Sequence, residues 1–177
     1  RGPKQGDPHR SKPQLVVTKI ERICVPRLQE KYFVELQDIA GLCEQHVTPL
    51  EDVVKEEVKA QRVESVPGLR LNEYLMYHGA PAELIDRLNL QGLDPRCAGE
   101  HSGKMYGMGT YLATNASKSD IYTQSNDQGE RCVLVVRTCL GEAQAAEQAM
   151  RNAVKPMERV DSRGFCNSVA AVTQDNG

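Results

Sequence analysis

The chain has 177 residues, enough for one domain with a single hydrophobic core of ordinary size. Its 22 basic and 24 acidic residues nearly cancel, which argues against a general attraction to nucleic acid or to an anionic membrane surface. No apolar run reaches membrane-spanning length and no leader has the charged-then-apolar layout of a signal peptide.

Residues 1–14 are polar, rich in Pro and Gly and aperiodic, as in a flexible leader or an expression remnant. Residues 15–23 are rich in β-branched side chains and alternate in their second half, which predicts a strand. Pro26 suits the first turn of a helix, and Leu28, Tyr32, Leu36, Ile39 and Cys43 follow at spacings that give that helix one buried face. Residues 48–63 carry a second amphipathic pattern with many charges, read as a solvated surface helix or a long connector. Pro67-Gly68 ends it.

Residues 73–78 read as a short strand and residues 81–90 as a helix stopped by Gly92. Residues 94–109 are loop-like, with Pro95, Gly99, Ser102, Gly103, Gly107 and Gly109. A loop of this length inside a domain is commonly functional. Residues 110–113 look extended and residues 117–122 helical, with Ser117 and Asp120 at capping-box spacing. Residues 132–140 give the clearest buried strand. Residues 143–154 have a helical composition, and residues 155–177 read as irregular. The whole predicts an α+β fold rather than a regular βαβ series.

Several features could carry chemistry. Tyr77-His78-Gly79 puts an imidazole at the end of a strand, beside a residue whose missing side chain lets a planar ligand approach the backbone. Gly107-Met-Gly109-Thr-Tyr111 is a glycine-rich turn that lacks the spacing of a dinucleotide fingerprint or a Walker loop. Ser119 and Tyr122, three apart on a helix, offer a hydroxyl beside an aromatic ring, which suits a flat heterocycle bearing an amide. No nucleophile motif is present. The other histidines (His9, His46, His101) are scattered, so a metal centre is not expected. The six cysteines (Cys24, Cys43, Cys97, Cys132, Cys139 and Cys166) contain no Cys-x-x-Cys pair. They point to free thiols in an intracellular setting, cytoplasm or nucleus.

The order of these pieces carries a resemblance. Glu73-Tyr-Leu-Met-Tyr-His78-Gly79, then Gly92-Leu-Asp through Cys97-Ala-Gly99, then Tyr106-Gly-Met-Gly-Thr-Tyr111-Leu-Ala113, then Ala116-Ser-Lys-Ser119-Asp-Ile-Tyr122 resembles the catalytic domain of the poly(ADP-ribose) polymerase family. These are the diphtheria-toxin-like ADP-ribosyltransferases. The similarity extends more thinly over residues 15–177, and the Cys-Ala-Gly stretch leans towards the mono-ADP-ribosylating branch.

The resemblance implies an α+β ADP-ribosyltransferase fold with a mixed, mainly antiparallel split sheet and flanking helices. It implies a site for NAD, consumed as a substrate, and no metal. His78 would hydrogen-bond the nicotinamide-side ribose, and the Gly79 backbone and the Ser119 hydroxyl would bind the carboxamide. Tyr122 would stack on the nicotinamide ring, Tyr111 would close the pocket opposite, and Arg96 would contact the pyrophosphate. His78 and Tyr111 stand as the catalytic pair.

The expected acceptor is a protein, the chain itself included; a nucleic-acid acceptor finds no support in the charge pattern, and no membrane is implied. The family's third signature position, commonly a glutamate on a late strand, belongs after residues 167–169. No late strand is foreseen before Gly177, and Glu142 and Glu158 stand in other contexts. The expectation is therefore a domain truncated at its C-terminus, with polymer-forming, mono-transferring and inactive outcomes all open. The competing class is a module of the same fold that holds NAD or ADP-ribose without chemistry.

Overall fold

The computed structural model describes residues 16–43, 47–54, 61–94, 105–159 and 164–172. Pro26 opens helix α1 (Pro26–Leu42), where the missing N–H costs nothing because that donor has no intrahelical partner. Cys43 closes it by donating its N–H to the Ile39 carbonyl at 2.9 Å. The face anticipated from spacing is the inner one: Leu36 and Cys43 are buried, and Leu28, Tyr32 and Ile39 are half-buried. Leu36 and Cys43 pack with Leu71 and the partly buried Cys139 into one of two small clusters.

Of residues 48–63, read as a solvated surface helix or a long connector, residues 55–60 lie outside the described residues, and the described helix, α2 (Leu50–Val54), is packed rather than solvated. Leu50 is only 3% exposed and joins Tyr74, Met76 and Ala143 in the other cluster. Arg62 then bridges Tyr74, and the Tyr74 hydroxyl donates to the Glu51 carboxylate at 3.0 Å. Two of the charges that suggested solvation, Glu51 and Arg62, are bonded to each other at 2.8 Å and flank the strand beside them.

Strand β1 (Glu73–Gly79) forms where expected. A 3-10 turn (Ala82–Leu84) leads into α3 (Ile85–Gln91), which ends at Gly92 with a left-handed φ of 80°. Residues 95–104 of the anticipated loop lie outside the described residues, Arg96, Cys97 and His101 among them. Residues 110–113 are extended, as read, and touch β1 through an antiparallel bridge between Tyr77 and Ala113.

The next helix is α4 (Ala116–Asp120), shorter than foreseen. Its cap is Asn115 rather than Ser117: Asn115 Oδ1 accepts both the Ser117 N–H (2.9 Å) and the Ser117 hydroxyl (2.5 Å).

Strand β2 (Val133–Cys139) pairs antiparallel with β1, from Glu73 opposite Cys139 to Gly79 opposite Val133. The strand read at residues 132–140 is present, but it is half-buried rather than buried, with Val135 59% exposed. One face of this two-stranded sheet is covered by the Tyr74–Met76 cluster; the other meets α1 at the Glu73–Cys139 end and is exposed at Val135.

The pairing continues past the strands to a shared kink. Leu140 N–H donates to Asn72 O (2.9 Å) and Gly141 N–H to Leu71 O (3.0 Å). Asn72 and Gly141 both hold left-handed φ values, 56° and 54°. Asn tolerates this region better than most residues, and its side chain fastens the corner. The Asn72 amide donates to Thr48 O (2.7 Å) and Gly141 O (3.0 Å), while its oxygen accepts from Leu50 N (3.1 Å).

Beyond the kink come β3 (Ala143–Ala146) and β4 (Ser168–Ala171), paired in parallel. Two expectations fall here. Alanine's helical preference is worth only a few tenths of a kcal/mol per residue, and a partner strand outweighs it at residues 143–146. A late strand also exists where the sequence suggested irregular chain.

A third expectation fails at the other end. Residues 16–23 form no strand, and Val16, Val17 and Ile20 are 77%, 76% and 88% exposed. β-branched composition favours a strand only where a partner supplies the ladder; this stretch touches the rest of the chain through a Thr18 hydroxyl bond to Glu130 (3.3 Å). The result is an α+β chain with a split sheet, antiparallel in β1–β2 and parallel in β3–β4.

Candidate functional site

In a strand, successive residues direct their peptide groups alternately to the two edges. Tyr77 exchanges both of its backbone bonds with Ala113, each 2.9 Å, so its peptide groups face away from β2. Those of His78 therefore face β2, and those of Gly79 point the same way as Tyr77's. Gly79 makes no backbone bond on that edge among the described residues. The strand thus ends with one N–H and one C=O aimed past the Tyr77–Ala113 bridge.

Gly79 is required here by space. A Cβ would fall 1.9 Å from the Ser119 carbonyl oxygen, 2.8 Å from its carbon and 3.3 Å from Thr123 Cγ2. The sequence suggested that a missing side chain admits a ligand; the structure adds that it admits the last turn of α4. Ser119 is thereby placed against the open end of β1.

His78 Nδ1 lies 2.9 Å from the Tyr111 carbonyl oxygen. A carbonyl can only accept, so Nδ1 carries the proton and Nε2 of the neutral ring is left as an acceptor. Tyr111 acts on the histidine through its main chain, and its hydroxyl is committed elsewhere. That hydroxyl accepts from Tyr106 N–H (2.9 Å) and donates to Gly107 O (2.8 Å), which ties the glycine turn to the extended segment after it. The half-buried ring is what Tyr111 has left to offer.

The glycine turn is also held from outside. Met108 N–H donates to Ala153 O (2.9 Å) and Met150 N–H to Met105 O (2.7 Å). Gly107, at a φ of 91°, could not take a Cβ, which would stand 2.6 Å from Ala153 O.

Ser119 is only 3% exposed, yet its hydroxyl makes no hydrogen bond among the described residues. Tyr122 is 51% exposed and lies just past the end of α4, in a turn closed by its N–H on Ser119 O at 3.1 Å. The two are joined by that turn rather than by one helical face, so the sequence reading brought together the right residues by a slightly different local geometry. Thr123 was missed: it is 9% exposed, and its methyl stands where a Gly79 Cβ would meet it.

The site therefore gathers His78, Gly79, Tyr111, Ser119 and Tyr122; Arg96 lies outside the described residues. It presents a paired donor and acceptor from a strand end, one unbonded hydroxyl, one ring nitrogen fixed as an acceptor and a half-exposed aromatic ring. Those are the elements that bind a flat ring bearing a primary carboxamide next to a hydroxylated sugar. Among the described residues no group of three or more His, Cys, Asp or Glu could hold a metal ion. No described helix is long and apolar enough to cross a membrane.

Residues 8–176 match the family model described as the poly(ADP-ribose) polymerase catalytic domain. The human protein mono-ADP-ribosyltransferase PARP14 is 31% identical over 87 residues, covering 48% of this chain and 5% of that relative. Human PARP12, of the same printed activity, is 32% identical over 84 residues, 48% of this chain and 12% of its own. Mouse PARP10, also a mono-ADP-ribosyltransferase by name, is 25% identical over 131 residues, 73% of this chain and 11% of its own. The matched stretch thus spans only 5 to 12% of these relatives' lengths.

Proposed function

The chain belongs to the poly(ADP-ribose) polymerase catalytic-domain family, and from that premise we propose that it is an NAD-dependent ADP-ribosyltransferase acting from a domain that spans residues 15–177. It breaks the bond between nicotinamide and ribose and passes a single ADP-ribose to a protein acceptor. The observation that carries this reading is the end of β1. There, the Gly79 peptide groups that have no backbone partner among the described residues lie against the main chain of Ser119, whose hydroxyl makes no hydrogen bond among them either.

A primary carboxamide has one acceptor oxygen and an NH2 donor. Gly79 N–H donates to the oxygen, Gly79 C=O accepts from the NH2, and Ser119 adds a second donor to the oxygen. Tyr122 lays its exposed ring along the nicotinamide, and Tyr111 bounds the opposite side. His78 Nε2 accepts from a ribose hydroxyl, and Arg96 faces the pyrophosphate.

NAD supplies the ADP-ribosyl group and the departing nicotinamide, which separate through an oxocarbenium-like transition state. The protein's part is positional and electrostatic. Donors on the carboxamide oxygen hold the leaving group as it gains electrons, and the histidine fixes the sugar so that the bond lies open to the acceptor. Transfer of a single unit is supported by the printed activity of the relatives and by the Cys97-Ala-Gly99 stretch.

The test is incubation with NAD labelled in its ADP-ribose half. Labelled protein and an equal amount of free nicotinamide are expected. A folded protein that is stabilised by NAD but yields neither would be a binding module instead, and one that is not stabilised at all would overturn NAD recognition.

A further inference from the structure

A helix of five residues, like α4, does not hold its own geometry in water. The turn that carries Ser119 and Tyr122 must therefore be fixed by its surroundings, and Asp120 is the hub. Its carbonyl accepts from Thr123 N–H (3.0 Å) and from the Thr123 hydroxyl (2.8 Å). One carboxylate oxygen accepts from the same hydroxyl (3.0 Å), and the other receives Arg131 Nη1 at 2.8 Å. Arg131 Nε donates in turn to Ser125 Oγ (3.2 Å).

Arg131 stands two residues before β2, whose first residue, Val133, pairs with Gly79. The contacts therefore close a ring. Gly79 is paired to Val133, Arg131 is bonded to Asp120, and Ser119 is seated back on Gly79. Asp120 is 17% exposed and Arg131 46%, so the pair lies at the surface, outside both apolar clusters.

We propose that the Asp120–Arg131 ion pair positions the nicotinamide-binding turn, setting where the Ser119 hydroxyl and the Tyr122 ring stand relative to the Gly79 peptide groups. Neither residue touches the reacting atoms; both act through the turn. This rests on the function proposed above, and it assigns to that site a specificity element on its outer side. An exposed ion pair adds little to global stability. Its loss is felt in ligand affinity, because the misplaced groups are those that grip the carboxamide.

The experiment compares the wild-type chain with Arg131→Gln, Arg131→Lys and Asp120→Asn, the last keeping an acceptor for Thr123. Nicotinamide affinity is measured by calorimetry, KM for NAD and kcat by nicotinamide release, and folding by thermal unfolding. Arg131→Gln should weaken nicotinamide and raise KM by about five- to tenfold, with kcat changed less than about twofold and unfolding little moved. Arg131→Lys should recover part of the loss. The wild-type affinity should fall in high salt towards that of Arg131→Gln, which should itself be insensitive.

Folded Arg131→Gln and Asp120→Asn proteins with wild-type affinity and KM would overturn the role of the ion pair alone. So would a loss of thermal stability with affinity unchanged. A wild-type protein that binds neither nicotinamide nor NAD would overturn the functional reading and this inference together.

Discussion

Glu73 and Ser119 are equally buried, each 3% exposed, at opposite ends of β1, and their polar atoms fare differently. The Glu73 carboxylate accepts from the Tyr32 hydroxyl (2.5 Å), from Ser65 N–H (2.9 Å) and from the Ser65 hydroxyl (2.6 Å). Asn72 beside it bonds through both its oxygen and its nitrogen. At the far end the Ser119 hydroxyl and the outward peptide groups of Gly79 have no such partner among the described residues. The Glu73 and Asn72 side chains are fully engaged at one end of the strand, whereas the groups left unbonded at the other, among the described residues, suit a partner from outside.

Substitutions at the two ends should therefore fail in different ways. The largest effect belongs to His78. His78→Ala removes the acceptor for the sugar and should lower nicotinamide release by about 100-fold or more, as misplacing a reacting group does. The unfolding temperature should change little, and a variant that keeps more than a tenth of wild-type release would remove His78 from the site.

Glu73→Ala probes the closed end, where it strips an acceptor from Tyr32 and Ser65. The expected loss is about 1–3 kcal/mol of stability in denaturant titration, with the NAD response of the folded fraction unchanged. Ser119→Ala is the mirror case. Its hydroxyl makes no hydrogen bond among the described residues, so stability should hold, while nicotinamide affinity falls about tenfold for one lost hydrogen bond. A stability loss as large as that of Glu73→Ala would mean that Ser119 is structural.

The smallest effect is a pH dependence at the closed end. Burial against α1 pushes the Cys139 thiol up from its ordinary 9.0 to about 11. Burial and the bond to Glu73 also raise the Tyr32 hydroxyl. A raised acid keeps its proton in the folded state after the unfolded chain has released it. Its contribution is thus fully present below pH 9 and is lost as the pH climbs from 9 towards 11. Melting temperatures should be level up to about pH 9 and fall above it, and Cys139→Ala should make that fall shallower. A rise in stability over the same range would contradict the assignment.

How much of this was legible in the sequence follows from what each signal depends on. Helix α1 was readable because its apolar positions repeat at helical spacing and Pro26 marks its start, both local facts. β1 and the Gly92 stop were readable for the same reason. β3 was not, because Ala-Gln-Ala-Ala has no strand signal of its own and is extended only through its pairing with β4. The exposed residues 16–23 are the converse, strand-like in composition with no ladder to join.

At the site, His78, Gly79, Ser119 and Tyr122 could be picked out as residue types in a suggestive order. Their order could not reveal that the glycine is needed for Ser119 to sit against it. The Asp120–Arg131 pair spans a loop and left no mark in the spacing. Asn72, the corner that fastens α2 to the sheet, looked like any polar residue before a strand.

The most direct test of the difference between the two ends is NAD-dependent thermal stabilisation of three proteins: wild type, Glu73→Ala and Ser119→Ala. A ligand that binds only the folded state raises stability with the logarithm of its concentration above Kd. The wild type should gain stability steadily with NAD. Glu73→Ala should start lower and gain as much, whereas Ser119→Ala should start with the wild type and gain less. If Ser119→Ala gains as much as the wild type, or if Glu73→Ala gains nothing, the open end of β1 is not where this chain recognises NAD.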